Sequence, residues 1–201
     1  MRKRATECNR GFSLFEMLTI LLIISLIAAM SVPALIPTLQ SKSLTAAGDQ
    51  FEQTLKNARQ LALAEDVVVD FEIVGLDRAS GRGLQFEGYR VWKWLPNGER
   101  RQVDKVQWLE GAFVFSQDHS TLITDGAAEQ ETGSLPGLDE SVEIVRFSIF
   151  PNGETNLPER AGGDNWHVTI CALPQGGELP PNFIAFRINQ TNAHVIGYRP
   201  R

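Results

Sequence analysis

Gly11-Phe12-Ser13-Leu14-Phe15-Glu16 opens onto Met17–Ser41, a run of 25 residues (41 − 17 + 1) without a charged side chain. As a helix, that run would be roughly 37 Å long, enough to cross a hydrocarbon core of about 30 Å. Glu16 stands at its start, and an unpaired charge in an apolar medium is costly, so it calls for a cationic partner or a headgroup-level position. Ahead of the motif, Arg2, Lys3, Arg4 and Arg10 outweigh Glu7. Because basic flanks stay on the cytoplasmic side, the leader is expected inside and the remainder across the membrane. A secretory signal places its small-residue cleavage site after the apolar run. Here Gly11 precedes that run, so a cut at Gly11 would leave the hydrophobic helix on the mature chain.

This order of parts resembles the class III leader of type IV prepilins and type II secretion pseudopilins, whose consensus the motif matches at Gly11, Phe12, Ser13, Leu14 and Glu16. The resemblance implies cleavage between Gly11 and Phe12 by a membrane-embedded prepilin peptidase, then methylation of the new Phe12 amino group. A glycine at the cut suits a protease that must admit extended backbone. It also implies that Glu16 attracts the positive terminus of Phe12, in its own chain or a neighbour, and so sets axial register in a helical filament. The plainer alternative is a hydrated Glu16 at the interface. The partners implied are the peptidase, other pilins or pseudopilins and an inner-membrane assembly platform. The anchor would be single-pass in a bacterial inner membrane, with the globular part periplasmic.

Removing residues 1–11 takes away four basic and one acidic side chain, so the formal charge moves from 19 − 24 = −5 to 15 − 23 = −8. An acidic domain disfavours general nucleic-acid binding. Cys8 would leave with the leader, so the mature chain keeps Cys171 and forms no internal disulfide; Val168-Thr169-Ile170-Cys171-Ala172 reads as a core strand. His119, His167 and His194 lie in unrelated segments without metal-ligand or nucleophile spacing. His167 and His194 are expected as exposed strand positions and Asp118-His119 as a loop pair. Asp164 and Asn165 after Gly162-Gly163 match no calcium loop and read as a turn. No enzyme, metal or cofactor is expected. Trp92 and Trp94 share one side of a strand, either as an exposed partner-binding pair or, the preferred reading, as packing of a core face. Arg199 and Arg201 in the tail Gly197-Tyr198-Arg199-Pro200-Arg201 resemble a Gly-Arg-x-Arg DNA-contacting end seen in some FimT-like pilins, interrupted here by Tyr198. Two arginines on an acidic domain give weak, salt-sensitive binding.

Beyond the apolar run, Leu44, Ala47, Phe51, Leu55, Ala58 and Ala62 recur at helical spacing, with polar residues on the other faces and Glu52 placed to pair with Lys56. One helix of roughly 80 Å is expected from Phe12 to Glu65, kinked or locally melted by Pro33 and Pro37. Strand candidates follow at 67–74, 83–95, 101–109, 112–116, 141–150, 166–173, 183–189 and 194–198, with tight turns at Asn97-Gly98 and Asn152-Gly153 and a long loop at 117–140. The expected fold is α+β, pilin-like, with the amphipathic helix packed on two antiparallel sheets or one strongly bent sheet. Its expected parts are a leader (1–11), a hydrophobic transmembrane or filament-core helix (12–41), an amphipathic continuation (42–65) and a β-rich domain (66–201). Phe51, Leu55, Ala58, Arg59 and Ala62, with the valine-rich stretch to Phe71 and Phe147–Gly153, resemble the GspH and FimT group of minor pseudopilins and pilins. That group implies a secretion pseudopilus subunit or, alternatively, a type IV pilus subunit in pilus assembly or DNA uptake.

Overall fold

The computed structural model describes residues 13–78, 83–109, 113–126, 128–135, 141–160, 165–172 and 178–200, and of residues 30–37 the backbone alone. The expected leader, Gly11, Phe12, Asp164 and Arg201 lie outside these residues. The chain divides into two units, residues 1–41 and 42–201. Helix α1, Leu14–Glu65, crosses that boundary. Its backbone is helical through Pro33 and Pro37, so the expected local melting is absent. Each proline removes one backbone bond while the flanking turns keep theirs.

Within the first unit the helical side chains from Leu14 to Ile27 are exposed, Leu14 at 81%. Within the second unit α1 is amphipathic as its spacing predicts: Leu44, Ala47, Phe51, Leu55, Ala58 and Ala62 are all buried. The Glu52–Lys56 ion pair forms at 2.6 Å.

The strands are β1 (Val69–Arg78), β2 (Gly83–Trp94), β3 (Arg100–Gln102), β4 (Gln107–Trp108), β5 (Phe113–Phe115), β6 (Glu129–Ser134), β7 (Ser141–Ile149), β8 (Trp166–Ala172), β9 (Phe183–Ile188) and β10 (Val195–Tyr198), with a one-turn helix α2 (Thr121–Thr124). They form one ten-stranded sheet in the order β10-β9-β8-β5-β2-β1-β7-β6, β3 and β4 adding to β2. All pairings are antiparallel among the described residues. Of the two arrangements expected, the single sheet is found. The fold is α+β.

Phe51 is the centre of the core. Its ring lies 5.6 Å from Phe71, 5.4 Å from Tyr89, 5.2 Å from Phe115 and 5.0 Å from Phe186, so one helix residue touches β1, β2, β5 and β9. One turn earlier, Gly48 lets the sheet close on the helix, since a Cβ there would stand 2.7 Å from Ile184 Cδ1. Every buried residue of this main core lies between Leu44 and Val195, so the second unit carries its own hydrophobic centre.

The two Asn-Gly turns form as predicted, with φ of 81° at Gly98 and 86° at Gly153. In each, the asparagine Oδ1 accepts the N–H of the glutamate two residues on, Glu99 or Glu154. Two expectations are corrected. The stretch 101–109 is two short strands rather than one, because the chain leaves β2 between Gln102 and Gln107. The expected loop 117–140 contains α2 and β6; β6 is exposed almost throughout, so it is held by backbone pairing with β7 and shows no apolar alternation.

Candidate assembly and interaction sites

Glu16 sits in the first turn of α1. Its backbone N–H donates to Ser13 Oγ at 3.1 Å, and the Ser13 N–H donates to Glu16 Oε2 at 3.2 Å. This reciprocal capping box satisfies two amide groups that a helix start otherwise leaves unpaired. Side chains are described from Ser13 to Ala29 and again from Thr38. Among the described residues no helix is long and apolar enough to cross a membrane.

The sheet face turned away from α1 carries a feature that the sequence reading missed. In strand register, Glu129, Arg146, Glu72 and Arg90 stand side by side across β6, β7, β1 and β2. Glu72, with no exposed surface, accepts from Arg90 Nε at 2.6 Å, Arg146 Nε at 2.8 Å, Trp92 Nε1 at 2.9 Å and an Arg100 N–H at 2.5 Å. In the adjacent row Asp70 accepts from Ser148 Oγ at 2.7 Å and Trp94 Nε1 at 3.0 Å. Burial by itself would raise the Glu72 pKa; the bond from Arg100, the charge and bond of Arg90 and the bond from Arg146 outweigh it and hold the carboxyl below its ordinary value. Burial by itself would lower the Arg146 pKa, but the bonds and charges of Glu72 and Glu131 outweigh it and hold the guanidinium above its ordinary value.

The tryptophans therefore belong to this outer layer and not to the helix-facing core. Arg90 and Arg100 stack over Trp92 at 5.1 and 5.0 Å, and Arg100 over Trp94 at 5.7 Å. Alternation placed Trp92 and Trp94 on one face, but their preferred reading as packing of a core face is corrected, because the residues that alternate with them, Tyr89 and Val91, take the helix side. The signal for the charge row was present in Asp70-Phe71-Glu72-Ile73, where carboxylates alternate with core residues.

His119 Nδ1 lies 3.1 Å from Ser116 Oγ, His167 is half-buried against Thr121, and His194 is exposed just before β10. Half-burial of His167 corrects its expected exposure; the cause is α2, which lies over β8 there. Among the described residues no group of three or more His, Cys, Asp or Glu side chains is arranged to hold a metal ion. Cys171 is fully buried, and burial pushes its thiol up to about 11 against a smaller opposing contribution from Ser116. In the tail, Arg199 is half-buried and donates to Thr45 Oγ of α1 and to Asn182 Oδ1. A groove of about 550 Å³ opens on the outer face of β8–β10, beside His167, Arg187 and Tyr198.

The chain is similar to minor pilins and pseudopilins. The minor pilin FimU of Pseudomonas aeruginosa, from type IV pili, aligns at 11% identity over 80% of this chain and 94% of its own, with a TM-score of 0.46. A second crystal form of FimU gives 11%, 79%, 98% and 0.43. EpsH, a minor pseudopilin of the Vibrio cholerae Type 2 Secretion System, aligns at 13% identity over 79% of this chain and 98% of its own, with a TM-score of 0.43. All three scores lie below 0.5, so the fold rests on the helix packing and strand order described above. No protein-family model and no curated relative matches the chain.

Proposed function

We propose that this protein is a non-enzymatic filament subunit of the pilin and pseudopilin family, a GspH-like minor pseudopilin of a type II secretion pseudopilus. The observation that carries this reading is the division of α1 into a half whose apolar side chains are buried in its own domain and a half, Leu14–Ile27, whose apolar side chains have no cover. Apolar surface on that scale calls for lipid before assembly and for equivalent helices after it. Ahead of it stands the cleavage motif. In this reading residues 1–11 are the leader, prepilin peptidase cuts between Gly11 and Phe12, and Phe12 is N-methylated. Residues 12–41 anchor the chain once in the inner membrane with the domain periplasmic, and later enter the filament core with Glu16 setting register.

The capping box gives Glu16 a partner before assembly. In the filament the Phe12 ammonium would replace the Ser13 amide at the Glu16 carboxylate, exchanging a neutral donor for a charged one. What supports the secretion arm over a DNA-uptake pilus is the tail: Arg199 is already engaged by Thr45 and Asn182.

The test is the intact mass and N-terminal sequence of the membrane-extracted protein, with and without active prepilin peptidase. A mature chain beginning at methylated Phe12 only with the peptidase supports the pathway. An uncut chain, or one cut after the apolar run, refutes it. Export of a secreted substrate in a deletion strain, compared with DNA uptake, then separates the two arms.

A further inference from the structure

The tetrapeptide Pro-Asn-Gly-Glu occurs twice, at 96–99 and at 151–154. Val69, which opens β1, lies opposite Lys93 on one side and Ile149 on the other, so the two turns stand at the same end of the sheet and flank β1. Their internal bonding is the same. The Gly98 N–H donates to Leu95 O at 2.9 Å and the Gly153 N–H to Phe150 O at 2.8 Å, and each asparagine donates from Nδ2 to Oε2 of the following glutamate at 2.8 Å. An Asn-Gly pair is also the sequence in which a backbone nitrogen most readily attacks the side chain before it, because glycine puts no Cβ in the way. The glycine nitrogen gives up its proton and bonds to asparagine Cγ, ammonia leaves, and water then opens the succinimide ring to aspartate or isoaspartate. In either turn the glycine N–H and the carboxamide must first be released from their partners, so the rate follows how often the turn opens.

Tertiary surroundings separate the twins. Pro96, Asn97, Gly98 and Glu99 are all exposed, and a Cβ built on Gly98 would meet no described atom within 4 Å. The strand leaving that turn, β3, pairs with β2 over 3 residues and is held besides by the Arg100 side chain on Glu72. Gly153, by contrast, is buried, with Leu63 Cδ2 3.7 Å from where a Cβ would stand. Directly after it Thr155 donates both its N–H and its hydroxyl to Gln190 O at 2.9 Å. Asn156 then takes the Ser148 N–H on Oδ1 at 2.8 Å and donates its own N–H to Ser148 O at 3.1 Å. Opening the second turn therefore disturbs cover from α1 and bonds to another loop, which opening the first does not. We propose that Asn97 is a site of spontaneous deamidation in the folded protein, and that Asn152, in the same tetrapeptide, is protected by its tertiary cover. The product at 97 sets a carboxylate where the Asn97 Nδ2 donor met Glu99, and isoaspartate also adds a backbone atom to the loop. Either change weakens the turn that delivers Arg100 to Glu72.

The test incubates the full-length chain in detergent at mildly alkaline pH, with and without denaturing urea, followed by digestion with trypsin, which leaves the two sites on separate peptides, 94–100 and 147–160. Mass spectrometry reads the conversion of amide to acid at each site. In the folded chain Asn97 is expected to convert roughly tenfold faster than Asn152, the factor supplied by about one further hydrogen bond broken on opening. In urea the two sites, alike in local sequence, should convert at comparable rates. Leu63→Ala, at a position 44% exposed, should keep the fold, speed conversion at Asn152 and leave Asn97 unchanged. Equal rates in the folded chain, or conversion at Asn97 confined to the urea-unfolded chain, overturns the proposal. A difference that persists undiminished in urea assigns it to flanking sequence and also overturns it, as does a Leu63→Ala chain whose Asn152 converts no faster than before.

Discussion

Replacing Phe51 by alanine removes the one ring that joins α1 to four strands. Each aromatic pair contributes about 0.5–1.5 kcal/mol beyond burial, so four pairs set a ceiling of roughly 2–6 kcal/mol that neighbouring rings, sharing contacts, do not reach additively. Truncation of a buried phenylalanine costs about 3–5 kcal/mol once the cavity is included. Taking about 4 kcal/mol and 2–4 °C per kcal/mol for a domain of this size, the melting temperature of residues 42–201 should fall by roughly 8–16 °C. Phe51→Leu keeps most of the volume and should lose about half of that. The assay is urea and thermal unfolding followed by circular dichroism, with Gln60→Ala on the exposed face as a control expected within about 0.5 kcal/mol. A Phe51→Ala loss below about 1 kcal/mol would refute the reasoning, because the ring would then not be seated at the centre of the helix–sheet contact.

Glu72→Gln removes the charge shared by three guanidinium groups and should destabilise the domain by about 3–5 kcal/mol, measured by the same unfolding assay. Because the folded pKa of Glu72 lies below its unfolded value, its contribution is fully present above the unfolded pKa of about 4.3 and is lost as pH falls through the folded one; Glu72→Gln should therefore flatten the loss of stability below about pH 4.3, and a profile parallel to wild type would count against the network. Cys171, buried and with its thiol raised to about 11, should resist an aromatic disulfide reagent at pH 8 in the folded domain and react promptly in guanidinium chloride; rapid reaction of the folded protein would contradict its burial.

The buried face of α1 was legible residue by residue, since a helix of fixed pitch packed on one surface must repeat its apolar side chains every three or four positions. The Asn-Gly turns were legible because a positive φ restricts the choice of residue. β6 was not. Its side chains are exposed, and what holds it is the backbone, which every sequence shares. The capping box at Ser13 and Glu16 lay inside a motif read for its charge, and its hydrogen bonds became visible only with the helix start.

The interaction surfaces divide along the same line. By itself the sequence determined the local quantities: an uninterrupted apolar run behind a Gly-Phe junction, an amphipathic continuation, and an acidic remainder. Tertiary structure decided which distant charges meet. Glu72 is 18 residues from Arg90 and 74 from Arg146, and strand register brings them into one row. His167, Arg187 and Ile196 likewise become neighbours because β8, β9 and β10 pair in sequence order at the end of the sheet. Side-chain periodicity states which face a residue occupies along its own strand. Which strands lie beside it, and what covers that face, follows from minimising exposed apolar area and unpaired backbone over the whole domain, a condition that no single segment contains.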